Sequence, residues 1–136
     1  MFWFPRRYQM TMRSNVVGGQ VDLGPTIADL AGVTPAPDWQ GRSLLDTTRP
    51  SRAYFYVAED HFTLGLREDN WKYIFALREG VEELYDLNHD PDEQRNLAKA
   101  EPARTARMRQ RLAAWTEANR RQYEHAGAPE RAAATQ

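Results

Sequence analysis

The sequence predicts an α+β fold: a short helix, then a four-stranded antiparallel sheet packed by a long C-terminal helix. Three observations carry that expectation. Between Ala53 and Leu87 lie four short strand-like segments: "AYFYVA" is rich in aromatics, "WKYIFAL" runs as a further strand, and "FTLGLRE" and "VEELYDL" alternate with the period of strands. Turn chemistry at Asp69-Asn70 and Glu79-Gly80 separates them closely enough for an antiparallel meander. Met108, Leu112 and Trp115 then recur at helical spacing, which supplies the cover that an apolar sheet face needs.

The elements follow in chain order. In "VDLGPTIADLAGV", Ile27, Leu30 and Ala31 fall at i, i+3 and i+4, one apolar stripe of a short helix. Asp22 or Gly24 caps its start, Pro25 is tolerated in a first turn, and Gly32 suits a left-handed stop. Thr26 satisfies a backbone group of the first turn. "TPAPDWQG" is loop. The strands are "AYFYVA"; "FTLGLRE", with Phe62, Leu64 and Leu66 on one face; "WKYIFAL"; and "VEELYDL". The long helix opens at Pro102, a residue suited to a first turn, and runs through "PARTARMRQRLAAWTEANRRQYEH". Residues 126–136 read as a disordered tail with nothing to bury.

Composition bounds the function. The 136 residues fit one ordinary domain, and 41% hydrophobic with 27% charged residues is a globular balance. A net charge of −1 gives no global attraction for nucleic acid or an anionic membrane, and neither is expected as a partner. The arginines between Arg104 and Arg121 read as a solvated helix face, unaccompanied by a nucleic-acid reader motif. Without cysteine there is no disulfide, thiolate metal site or cysteine nucleophile. No apolar run approaches a membrane span. "MFWFPRRYQM" is apolar and then basic, the reverse of a signal peptide, and reads as a chain entering mid-structure.

The densest polar cluster is "ELYDLNHDPDEQRNLA", Glu83 to Ala98. Asp86, Asn88 and Asp90 begin a calcium-loop pattern, but Pro91 stands where a glycine is needed and Leu97 where a bidentate glutamate is needed. A helix start uses the residues better: Asp90 as N-cap, Pro91 in the first turn, Glu93 completing a capping box, Asn96 at a left-handed stop and Leu97 docked on the core.

The same stretch closely resembles the closing motif of sulfatases, E-L-Y-D-L followed by D-P-x-E-x-x-N-L. "VDLGPTIADLAGV" resembles the family's V-D-L-x-P-T helix ending in A-G, "GRSL" at Gly41–Leu44 its G-x-S-L, and "LREDNWKYIF" the strand leading to the closing motif. Order and spacing agree from Val21 to Trp115. The resemblance implies membership of the alkaline-phosphatase superfamily of metal-dependent hydrolases. It also implies that residues 21–125 form the smaller C-terminal domain, residues 1–20 being a residual segment from the catalytic-domain side. The family's formylglycine nucleophile, made within C/S-x-P-S/A-R, and its calcium ligands belong to the N-terminal domain. No catalytic residue and no metal ligand is therefore assigned here; no cofactor is expected in this chain, and calcium is expected in a complete sulfatase.

"TRPSR", Thr48 to Arg52, mimics the formylglycine signature with threonine in the nucleophile's place, but no metal-ligand cluster accompanies it and it reads as polar loop. His89 falls in the capped turn and His125 at the last helix end, too scattered for a zinc site. The candidate substrate-binding residues are His61, Arg67, Trp39 and Arg42, on loops and strand ends; arginine suits a sulfate or phosphate because its planar donors bind in pairs. The expected role is to brace a catalytic domain, in cis or as a separate chain, and to line its cleft, with no hydrolysis by this chain alone. The alternative is a stand-alone binding or self-associating module that uses "MFWF" and the uncovered side of the sheet.

Overall fold

The structure, a computed structural model, describes residues 15–58 and 62–133, with side chains as far as Arg121. "MFWF" and His61 lie outside the described residues. The chain divides into two compact units, Met1–Arg52 and Ala53–Gln136.

In the first unit, a single 3-10 turn, Gln20–Asp22, leads into helix α1, Leu23–Ala31. Pro25 sits in the first turn, where its missing N–H has no intrahelical partner to lose. Gly32 ends the helix at φ +70°, and Val33 N–H donates to Ala28 O at 2.8 Å, the left-handed stop the sequence suggests. The buried side of α1 is Pro25, Thr26 and Ala28, while Ile27 is 50% exposed and Ala31 is exposed. One expectation, the cap, is corrected here. Asp22 makes no side-chain cap on α1; its carboxylate reaches back to the Gly19 N–H at 2.9 Å and outward to the loop beyond the helix. At Asp22 a long-range polar network outcompetes the local cap.

In the second unit, strands β1 (Arg52–Val57), β2 (Thr63–Glu68), β3 (Trp71–Ala76) and β4 (Val81–Asp86) form a sheet in the order β1-β2-β3-β4. Leu66 faces Tyr73, and Tyr73 faces Leu84, in antiparallel register, so the three side chains share one face. Helix α2, Pro102–Ala133, covers that face. Leu66, Tyr73 and Leu84 have no exposure; Met108 and Leu112 close over them. Trp115, the third residue of the predicted stripe, stacks on Tyr54 with ring centroids 4.8 Å apart. On the opposite face, Phe55 lies against Gly65, where a Cβ would come within 2.0 Å of the ring. That face is not bare: Gly65 and Tyr85 are buried, and Ile74 is half-buried.

Five arginines of α2 have partners within the chain. Arg109 forks onto Glu82 at 2.5 and 2.6 Å, Arg111 pairs with Glu68, Arg104 lies 4.0 Å from the Trp71 ring centroid, and Arg120 and Arg121 share Glu117. These two guanidinium groups draw the Glu117 carboxyl down to about 2. The backbone helix runs on to Ala133, into the segment 126–136 expected as tail.

The closing motif is a strap, which corrects the expectation of a one-turn helix. Asp90 does cap, accepting the Gln94 and Arg95 N–H groups at 3.0 and 2.9 Å, but the left-handed residue is Glu93 at φ +56°, not Asn96. The Glu93 carboxylate completes no capping box: Lys72 Nζ holds it at 2.6 and 2.7 Å. Asn96 lies along the free edge of β4. Its Oδ1 accepts the Leu84 N–H at 3.2 Å, its amide donates to Glu82 O at 3.0 Å, and the Leu97 N–H donates to Leu84 O at 2.8 Å. One side chain and one peptide thus stand in for a fifth strand, and Leu97 packs against the core as expected.

Candidate functional site

The polar residues of the first unit converge on one buried carboxylate. Asp22 is 3% exposed. A carboxylate in that position is strongly unfavourable unless its oxygens are satisfied. Oδ2 takes the Gly19 N–H at 2.9 Å and the Arg49 Nη2 at 2.8 Å; Oδ1 takes the Arg42 N–H at 2.9 Å. The Asp22 and Arg49 side chains are 4% and 6% exposed, a buried ion pair 27 residues apart in sequence. Burial alone would raise the Asp22 carboxyl, but the Arg49 guanidinium and the two backbone amides outweigh it and hold the group below the usual carboxylate range.

Two further bonds lock the loop to α1. The Thr26 hydroxyl donates to Asp22 O at 2.6 Å and accepts the Leu44 N–H at 2.9 Å; the Ser43 hydroxyl donates to Asp29 at 2.6 Å. Gly41 makes the approach feasible, because a Cβ there would lie 1.9 Å from the Val21 carbonyl oxygen. The P-T and G-R-S-L motifs are therefore two halves of one clamp. Thr26 has the expected backbone role, extended by the bond to Leu44.

The clamp presents two of the four predicted site residues. Trp39 is 46% exposed, with its ring against Gly24. The Arg42 side chain is 56% exposed, and its Nη2 pairs with Asp46 at 2.6 Å. Arg67, in the second unit, is exposed on β2 with Nε donating to Asp69 O at 3.3 Å. His61 falls outside the described residues. Trp39 and Arg42 thus share a loop.

Thr48 behaves as loop. Its hydroxyl and N–H both donate to Asp46 Oδ1, at 2.6 and 2.9 Å. Those two bonds, with the Arg42 charge, hold the Asp46 carboxyl below its ordinary value. Among the described residues no group of three His, Asp or Glu side chains is placed to hold a metal ion. His89 pairs with Asp86 at 2.8 Å in the exposed turn after β4.

Arg49 is the residue the sequence reading missed. It lies inside the "TRPSR" decoy, where attention goes to the threonine, and no local pattern marks a loop arginine as buried. The usable signal is the unpaired acid at Asp22 in a helix that needs no second cap.

Comparison with known proteins identifies the family. The family described as N-sulphoglucosamine sulphohydrolase, C-terminal, matches residues 1–121. The Delta 4,5-hexuronate-2-O-sulfatase of Bacteroides thetaiotaomicron is 37% identical over 91 residues, covering 58% of this chain and 19% of the relative. Arylsulfatase K of Bos taurus is 31% identical over 127 residues, covering 76% of this chain and 23% of the relative. Among solved structures, a 2-O GAG sulfatase superimposes with a TM-score of 0.60 at 29% identity, covering 76% of this chain and 26% of the other. The chain spans about a fifth of the length of the curated relatives it matches.

Proposed function

The chain belongs to the family of N-sulphoglucosamine sulphohydrolase C-terminal domains, and from that premise we propose that it works as the bracing part of a longer sulfatase-like hydrolase of sulfate (or phosphate) esters. The observation that carries this reading is the match over residues 1–121 combined with coverage of only 19% and 23% of two sulfatase relatives. In this reading the remaining four fifths hold the nucleophile and the metal, calcium, while this chain supplies a wall of the substrate cleft.

Trp39 and Arg42 are the wall residues best supported. Both are exposed on a loop whose backbone the Asp22–Arg49 pair holds from beneath, so they are held without being buried. Arg42 offers paired donors to an anionic oxygen group, for which Asp46 is the resident stand-in; Trp39 offers a flat apolar face. Arg67 and His61 are secondary candidates. The names of the relatives, a hexuronate 2-O-sulfatase and a 2-O GAG sulfatase, favour an anionic saccharide as the substrate class.

The test is direct. An antibody against Glu83–Ala98 should detect, in the source cells, a polypeptide several times larger than 15.7 kDa. That polypeptide should hydrolyse an aryl sulfate, while the 136-residue chain alone should not. Arg42→Ala in the larger protein should raise KM more than it lowers kcat. A native band at 15.7 kDa would defeat the proposal.

A further inference from the structure

We propose that Asp46 is a built-in competitor at Arg42: a carboxylate of the chain itself, which a substrate's oxyanion must displace. The loop is thereby selective for substrates that carry a second anionic group besides the ester being cleaved. The inference rests on the reading of Arg42 as a wall residue and adds what sets its selectivity. In that reading the nucleophile and metal lie in the rest of the polypeptide and hold the reacting ester, so the anion at Arg42 is another group of the same substrate.

Arg42 is fixed through its backbone. Its N–H donates to Asp22 Oδ1 at 2.9 Å, and its carbonyl accepts Arg49 Nη1 at 2.5 Å. Its side chain meets Asp46 through one nitrogen, Nη2, at 2.6 Å from Oδ2. Asp46 is fixed in turn, because its other oxygen, Oδ1, accepts the Thr48 hydroxyl and N–H at 2.6 and 2.9 Å. Thr48 thus holds one oxygen and leaves the other presented to Arg42.

The loop therefore carries two ion pairs of different kinds. Asp22–Arg49 is enclosed and holds the loop; Arg42–Asp46, with side chains 56% and 29% exposed, is open to solvent and exchangeable. A planar guanidinium binds sulfate or carboxylate best through two parallel N–H groups, and Asp46 uses only one nitrogen. An oxyanion that engages two gains a bond over Asp46. An anion that cannot do so meets the Asp46 charge and is repelled.

The test uses the complete gene product with Asp46→Asn, Arg42→Ala and the double variant. The substrates are an aryl sulfate with no other charge and a sulfated disaccharide that also carries a carboxylate. Asp46→Asn should lower KM for the disaccharide about 2- to 5-fold, the strength of an exposed ion pair expressed as a ratio, with little change for the aryl sulfate. In the double variant the disaccharide KM should equal that of Arg42→Ala, because competition requires the arginine. If Asp46→Asn fails to fold, Thr48→Val carries the test: it removes one bond that holds Asp46 and should lower the same KM by less. An unchanged or higher disaccharide KM in Asp46→Asn would overturn the proposal. So would a fall that persists without Arg42, or one equal for both substrates. If Arg42→Ala leaves both KM values unchanged, the wall reading fails; if it raises the disaccharide KM while Asp46→Asn does not lower it, the competition alone fails.

Discussion

The two units of this chain are put together on opposite plans. In the second, Leu66, Tyr73 and Leu84 on the sheet and Met108 and Leu112 on α2 are enclosed, and charge is left outside in paired form. In the first, the enclosed groups include Asp22 and Thr26, and the large apolar side chains Val21, Leu23, Ile27 and Val33 face out. The lesson is about what holds each together: dispersion and the hydrophobic effect in one, and a few directional bonds in the other. Directional bonds fail singly and steeply.

The comparison is broken most directly at Arg49. Arg49→Ala should cost about 3–5 kcal/mol, because it leaves Asp22 buried without its cation. Hydrogen exchange of the α1 amides should accelerate while β2 and β3 stay protected; loss of protection in both would mean the units share one stability. Leu84→Ala should cost about 2–5 kcal/mol, read as a lower melting temperature, with the signature reversed: the sheet loosens and α1 does not. Asn96→Ala should cost about 1–3 kcal/mol by stripping the Leu84 N–H and Glu82 O of their partner, with faster exchange confined to β4.

Acid sharpens the same contrast. The Asp22 carboxyl titrates below its ordinary value of 3.8 in the folded chain, so its contribution is present above that value. It is lost as pH falls through the lower folded value. The first unit should therefore lose protection on acidification before the apolar core of the second does. Tyr85 works at the other end of the scale: burial, then the Glu83 and other nearby carboxylates, push its phenol up to about 12. Its ionisation should be invisible in ultraviolet absorbance at pH 10. The smallest effect expected is Ile27→Ser in the 136-residue chain, within about 0.5 kcal/mol, since the side chain is half exposed and touches no core.

The second unit was largely legible in the sequence, and the first was not. Aromatic-rich runs and period-two alternation located the four strands, and Met108, Leu112 and Trp115 located the covering face of α2, because the residues that close this core, Leu66, Tyr73, Leu84, Met108 and Leu112, are apolar and buried. In α1 they disagree. Ile27 and Leu30 mark a stripe correctly, yet a stripe does not say what lies against it. The partners of Asp22 are similarly invisible to a local reading, since Arg49 stands 27 positions away. The Asp90–Asn96 segment misled for the opposite reason. Its residues match a helix start, but Lys72 captures Glu93, and Asn96 bonds to β4 instead of ending a helix. Trp39 and Arg42 lie on a loop, as their neighbouring prolines and glycine indicate, whereas the buried Arg49 that bonds the same loop carries no local mark.

The strap across β4 has a bearing on how this chain behaves when crowded. An open strand edge is a template on which identical molecules stack into fibres. Here Asn96 and Leu97 occupy the Leu84 N–H and both carbonyl positions that an incoming strand would use. Fibre growth from that side would first have to evict them. Asn96→Ala should therefore raise the rate of seeded aggregation, read by dye fluorescence against the parent chain.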